Sequence, residues 1–293
     1  ADEQPLVTAE FTDATDLVQV PAGEYRIRIT PAGSMDVVFD SGTVALADGA
    51  DLLVAATNNT GSGESPVTLL VADGESAVKL WDVNTTADIR VVHGISDAPA
   101  VDVIANNELV LIDALAFPMA TDYLSVMPAD YLIDVVADAD NSIVAIDDAA
   151  VTLETGMSYT AIANNELAAP ELDLLMDMPR RVATEAKVRI IHASPAAGSV
   201  DIYVTGDGEI ADVDPAFAGV DYSTDALAET GYVSLAAGEY FVTVTAAGTK
   251  EAAIATGSLM LDAGNVYTAI AVNGAIEGAL PQLILLDDFV ATP

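Results

Sequence analysis

The chain has no cysteine, so disulfides and thiolate metal sites contribute nothing and stability has to come from packing. Cationic side chains are scarce too, nine Lys and Arg against 46 Asp and Glu, for a formal charge of -37. A surface with that balance repels phosphate backbones and anionic lipid, so no nucleic-acid partner is expected. Long apolar runs are missing as well. The longest stretch without a charged residue, Ala263 to Ile276, is shorter than the roughly 18 residues of a membrane-spanning helix, and no membrane insertion is expected. The start shows no basic segment followed by an apolar one; the chain as given reads as soluble, with any export signal removed or not included. There is no phosphate-cradling glycine loop with its lysine. Histidine occurs twice, His93 and His192, and tryptophan once, Trp81.

What is present is repetition in a chain that is 52% hydrophobic. Lys187 to Val204, KVRIIHASPAAGSVDIYV, matches Asp88 to Ala105, DIRVVHGISDAPAVDVIA. His192 minus His93 and Asp201 minus Asp102 both give 99, so the match has no gap. Each copy reads as a strand, a polar turn with Pro, and a second strand. In the latter, Val200, Ile202 and Val204 alternate with Asp201 and Tyr203 in the period of a half-buried strand.

A second landmark occurs three times: VPAGEYRIRIT at Val20 to Thr30, VMPADYLIDVV at Val126 to Val136 and LAAGEYFVTVT at Leu235 to Thr245. Tyr131 minus Tyr25 is 106 and Tyr240 minus Tyr131 is 109, close to the length of one sandwich domain. Gly23 and Gly238 suit a tight turn through positive φ. Tyr25 shares a face with Ile27 and Ile29, and its hydroxyl is expected to reach a backbone partner at the sheet's end. A third landmark places Gly49, Gly156 and Gly264 at the turn before the apolar strands of ADLLVAATNN, MSYTAIANNE and NVYTAIAVNG. About seven short strands per copy, with no useful helical period, predict an all-β chain of tandem immunoglobulin-like antiparallel β-sandwiches. The expected domains are residues 1–84, 85–184 and 185–293, joined near Trp81 to Thr86 and Pro179 to Ala186. Trp81 is expected at an interdomain contact.

Two irregularities carry functional expectations. Tyr240 minus Asp201 is 39 against 29 for Tyr131 minus Asp102; the surplus makes an enlarged loop at 206–222, a place for specialised contact. Matching Tyr25 to Tyr131 puts Phe11 on Phe117 and leaves nothing to match Asp88 to Asn106. The first repeat therefore reads as lacking its opening strand pair. Either the chain is a fragment, or strand addition from other copies of itself or from an upstream segment completes the repeat, as in a filament.

The elements IRVVHGISDAPAVDV and VRIIHASPAAGSVDIYV, followed by the PAGEY turn and the YTAIA strand, resemble the family called domain of unknown function 4397. The resemblance implies a β-sandwich for each copy and an exported or surface-associated protein, often with tandem copies. It supplies no activity. Gly94 and Ile95 stand where the other copy has Ala193 and Ser194.

Candidate chemistry is sparse. His192, Ser194 and Asp201 are the residue types of a hydrolytic triad, but Ile95 stands in place of the serine in the equivalent copy. A histidine bonding backbone at a turn fits both copies better. Weak calcium candidates are Asp138, Asp140 and Asn141, and Asp207, Asp212 and Asp214, with Glu209 beside them; hard cations want more oxygens than either segment clearly offers. Asn58 and Asn84 head glycosylation sequons. The reading is a non-enzymatic extracellular or cell-surface structural or adhesive protein, with a carbohydrate- or cation-binding module as the alternative.

Overall fold

The computed structural model describes residues 5–59, 63–178, 180–224, 226–276 and 278–288. Thr60 of the Asn58 sequon and Pro179 at the second expected boundary lie outside them. Among the described residues the only helix is one 3-10 turn, Pro195–Ala197; all other regular structure is strand. The chain divides into two compact units, Ala1–Thr86 and Ala87–Pro293.

In the first unit β1 (Gly23–Ile29) pairs antiparallel with β2 (Phe39–Leu46). Strands β3 (Leu53–Asn58), β4 (Val67–Ala72) and β5 (Ala77–Leu80) form an antiparallel sheet in that order. Its core is thin, with Phe39 and Leu69 the buried hydrophobic side chains among its described residues. Arg26 and Arg28, on the face of β1 opposite Tyr25, reach the two oxygens of Asp40 at 2.5 and 3.0 Å. The Arg26 contact, above all, holds the Asp40 carboxyl down at about 2. Asp82 accepts from the backbone N–H of Asp40 at 2.7 Å, which laces the segment after β5 to β2.

The second unit begins with β6 (Ala87–His93), β7 (Val101–Ala105), β8 (Leu109–Leu115) and β9 (Leu124–Val126). There follow β10 (Ala129–Ala137), β11 (Asp140–Leu153), β12 (Ser158–Asn164) and β13 (Glu171–Asp177). These make two sheets, β13-β12-β6-β9 and β11-β10-β7-β8. The chain continues through β14 (Glu185–Ala193), β15 (Val200–Thr205), β16 (Phe217–Val220), β17 (Ala228–Glu229) and β18 (Val233–Ala236). It ends with β19 (Gly238–Ala246), β20 (Ala252–Ala255), β21 (Leu259–Leu261), β22 (Val266–Val272) and β23 (Gln282–Asp288). One sheet runs β23-β22-β14 with β17 and β18 both on the far edge of β14; the other runs β20-β19-β15-β16 with β21 also on β19.

The same order therefore recurs in both sandwiches. The two strands that follow each other in sequence, β6 then β7 or β14 then β15, each take an interior place in a different sheet. Pairing is antiparallel except for β6 with β12 and β14 with β22, which run parallel. Parallel strands buried on both faces read as unbroken apolar runs, and all seven residues of β12 are buried. Tyr159, Ala161 and Ala163 point into the core between its own two sheets, with Ile89, Val103, Ile133 and Val135. Ile162 points the other way and meets Val92, Ile191, Ile270 and Val272. The outer faces of the two parallel pairs thus pack on each other and share a core.

Each tyrosine landmark closes a corner, the hydroxyl donating to the carbonyl four residues earlier: Tyr25 to Pro21 at 2.6 Å, Tyr131 to Met127 at 2.7 Å and Tyr240 to Ala236 at 3.0 Å. Of the two glycines before it, Gly23 has a φ of 158° and Gly238 has no positive φ, and Ala129 occupies the matching place in the second copy. By contrast Gly49, Gly156 and Gly264 sit at φ of 75°, 70° and 82°, where a side chain would be strained.

Ile133 is buried in β10 while Ile27, its match in β1, is half-exposed. Ile133→Ala is expected to destabilise the main unfolding transition by about 2–5 kcal/mol. Ile27→Ala should leave that transition in place. Denaturant titration followed by circular dichroism measures both.

Candidate functional site

The residues that could have formed a triad are held apart by backbone bonding. His192 Nε2 donates to Gly198 O at 2.7 Å while its Nδ1 accepts from Ser194 N at 3.3 Å. His93 does the same with Pro99 O at 2.9 Å and Ile95 N at 3.3 Å. Accepting at Nδ1 requires the neutral ring with its proton on Nε2. Ser194 Oγ donates to Asn273 Oδ1 at 2.7 Å rather than to imidazole. The Asp201 carboxylate takes the N–H groups of Gly219 and Gly248, both at 2.8 Å, and these bonds, that of Gly248 first, lower its pKa. Each histidine staples the turn between two neighbouring strands, and the arrangement offers no activated nucleophile.

A larger set of polar groups is buried where the two sandwiches of the second unit meet. Arg189, fully buried, pairs with the buried Asp177 carboxylate. Asp177 also accepts from Tyr123 at 2.6 Å and Thr160 at 2.7 Å. Thr160 Oγ1 in turn receives Arg90 Nε at 2.8 Å, and Arg189 Nε lies 3.3 Å from Thr268 Oγ1. The two guanidiniums also stack, Arg90 over Tyr123 at 4.9 Å and Arg189 over Tyr232 at 4.7 Å. Sequence reasoning gave these arginines no role. The signal was there, since two of only nine cations fall at the same place of the repeated strand, 99 residues apart as 189 minus 90.

The calcium candidates separate. Asp138 comes together with Asp102 and Asp113, their oxygens within 4.8 Å of one another, and a similar group joins Asp134, Asp147 and Asp148. Asp102 already accepts from Ala114 N at 2.9 Å, and three carboxylates fall short of the roughly six to eight oxygens calcium takes. Asp140 caps a turn through Ser142 N and Oγ at 3.0 and 2.7 Å, which lowers its pKa; Asn141 is exposed beside it. Asp207 accepts from Glu209 N at 3.1 Å, Asp212 and Asp214 are exposed, and these three form no such cluster.

The enlarged loop is tied down rather than open. Lys250 Nζ donates to the carbonyls of Ile210, at 2.8 Å, and Val213, and its charge sits 4.4 Å over the Tyr203 ring. The loop's aromatics face protein: Phe217 packs on the sandwich core, and Tyr222 donates to Asn164 Oδ1 at 3.0 Å. Burial, chiefly, pushes the Tyr222 hydroxyl up to about 12. No exposed aromatic strip for a sugar ring results. A cavity of about 360 Å³ inside the last sandwich is lined by apolar side chains such as Ile202, Ile254 and Leu280. His192, the one titratable side chain in its lining, has both nitrogens engaged.

What is left without a partner is strand edge. In the first unit β1 is paired only with β2 and β3 only with β4, so each has one edge along which no strand lies among the described residues. Tyr25 and Tyr131 align β1 with β10, and Gly49 and Gly156 align β3 with β12; in the second unit the matching edges are covered by β7 and β6. Val54 is 46% exposed where Ala161 is buried, and Phe11 is 97% exposed where Phe117 packs on a core. Among the described residues, no helix is long and apolar enough to cross a membrane.

Burial lowers the pKa of both His93 and His192 from the ordinary 6.5. The unfolded chain then binds more protons than the fold below about 6.5, so the contribution is present above that pH and is lost as pH falls through the folded values. Stability should decline as pH falls from about 7.5 through the lowered folded values, and a His93→Gln, His192→Gln double variant should lose much of that slope. An unchanged slope in thermal melts would contradict it.

Residues 87–203 match the family model described as Domain of unknown function (DUF4397). No curated protein matches the chain. Among solved structures it is similar to a candidate cell adhesion protein from Bacteroides fragilis NCTC 9343, at 10% identity, covering 69% of this chain and 97% of that one. The TM-score is 0.20, too low to carry an argument. The family match takes in the whole β6 to β13 sandwich and continues through β14 into β15.

Proposed function

We propose that the protein is a non-enzymatic, extracellular or cell-surface structural and adhesive protein of tandem sandwiches, a filament-type subunit that joins its neighbours by strand addition at the first repeat. The observation that carries this reading is the pair of open edges on β1 and β3, set against covered edges at the matching strands of the second unit. An open edge presents a row of unpaired backbone donors and acceptors and recruits another strand. The exposed apolar side chains beside it, Leu53 at 70% and Val54, add a hydrophobic incentive.

Charge supports the exterior placement. With -37 formal charges, self-repulsion is relieved where salt shortens the Debye length to about 8 Å or less. The bonding of His192, Ser194 and Asp201 to backbone and to Asn273 supports a non-catalytic role. Size-exclusion chromatography with light scattering of the full chain is the test. Mass should rise above that of one chain, 30.1 kDa, as concentration increases, and more readily in high salt. A monomer that persists at high concentration would sink the assembly reading.

A further inference from the structure

We infer that the cavity in the last sandwich is a binding site for a small uncharged molecule with an aliphatic chain. It lies between the sheet of β14 and β22 and the sheet of β15, β19 and β20, and its volume is about 360 Å³. Protein interiors are otherwise packed as densely as organic crystals. An apolar cavity of roughly 150 Å³ stays free of water and takes up benzene, so a space more than twice that size accommodates a short chain.

Differences between the repeats accompany it. Six of its sixteen lining residues are alanine. The preceding sandwich buries Ile95 fully in its core, whereas the matching Ser194 turns its hydroxyl to Asn273 Oδ1 at 2.7 Å. Nine residues separate β22 from β23, against six between β12 and β13, and the end of that longer connection brings Leu280 and Pro281 to the lining. Gly274 lets the connection fold back on itself, since a Cβ there would lie 2.6 Å from Ala279 Cβ. The floor is buried, with Ile202 and Val244 at 2% and 3% exposure, but Leu280 on the rim is 67% exposed. A ligand can therefore enter past the rim.

The lining sets the class of ligand. Among the described residues no Asp, Glu, Lys or Arg contributes to it, and the one aromatic ring is that of His192. Both nitrogens of that ring are bonded to backbone, at Gly198 and Ser194. A charged or strongly polar group inside would thus lose its water without gaining a partner, and a chain of -37 formal charge repels an anion before it arrives. Branched and methyl walls offer dispersion contacts but no ring face to stack on. An uncharged alkyl chain meets these conditions, with any polar head left at the rim.

The test titrates linear alcohols from butanol to octanol into the full chain and follows isoleucine methyl signals by NMR. Ile202 and Ile254 should shift saturably, while Ile133 in the core of the preceding sandwich stays fixed. Affinity should rise about fourfold per added methylene, and ionised octanoate should bind about tenfold or more weakly than octanol. Ala253→Leu, which narrows the cavity, should weaken octanol binding by about tenfold or more. Leu280→Asp should weaken it by about fivefold or more; that side chain lies on the exposed rim, so the result stands whether or not Ala253→Leu folds. No saturable shift, an equal shift at Ile133, octanoate binding as tightly as octanol, or undiminished octanol binding by the folded variants each overturns the inference.

Discussion

The second unit depends on a topological constraint: one short stretch of chain supplies an interior strand to both layers of a sandwich. Strands β6 and β7, or β14 and β15, are joined by the turn that His93 or His192 staples, so the histidine fixes the angle at which the chain leaves one sheet and enters the other. Interior strands satisfy their backbone groups on two sides, and losing one would orphan a row of donors and acceptors on each neighbour. That is why the most completely buried strands, such as β6 and β12, are the ones this segment forms or covers. In the first unit β1 and β3 each have one edge along which no strand lies among the described residues, and two hydrophobic side chains there are buried.

Placing Arg189 and Asp177 out of water costs several kcal/mol per ion unless the remaining bonds are made. Here they largely are, by Thr160, Tyr123 and Thr268. Such a pair adds little net stability over an apolar substitute, but it penalises every other alignment of the two sandwiches. The surrounding apolar contacts, Val92 and Ile162 against Ile191 and Ile270, are similar on both sides and would tolerate slippage. The asymmetric polar set fixes the register that the apolar set leaves loose. In a chain with nine cations, committing two of them to this contact leaves seven for the surface.

Much of the architecture was legible because it rests on local rules. Alternation in VDIYV foretold a strand, Gly156 and Gly264 foretold turns before apolar strands, and Tyr25 foretold a hydroxyl bonded to backbone. The parallel pairing of β6 with β12 was not legible: IRVVH and YTAIA are apolar on both faces, and strand direction is set by how distant segments dock. The turn role given to Gly238 failed because the corner is made by the tyrosine, as Ala129 in the matching place shows. The clustering of Asp138 with Asp102 and Asp113 was half-visible, since Asp138 stood out in ADADNS while its neighbours come from other strands. Arg90 and Arg189 were visible as rare cations but carried no motif to announce a buried role.

Native-state hydrogen exchange resolved by residue tests most directly whether the interior strand pair is what makes a sandwich stable. Amides of β6, β12, β14 and β22 should exchange only through global opening, while those of β1 and β3 exchange faster by about a hundredfold or more. Protection in β3 equal to that in β12 would contradict the account, because a strand with one uncovered edge would then be as secure as one enclosed on both sides.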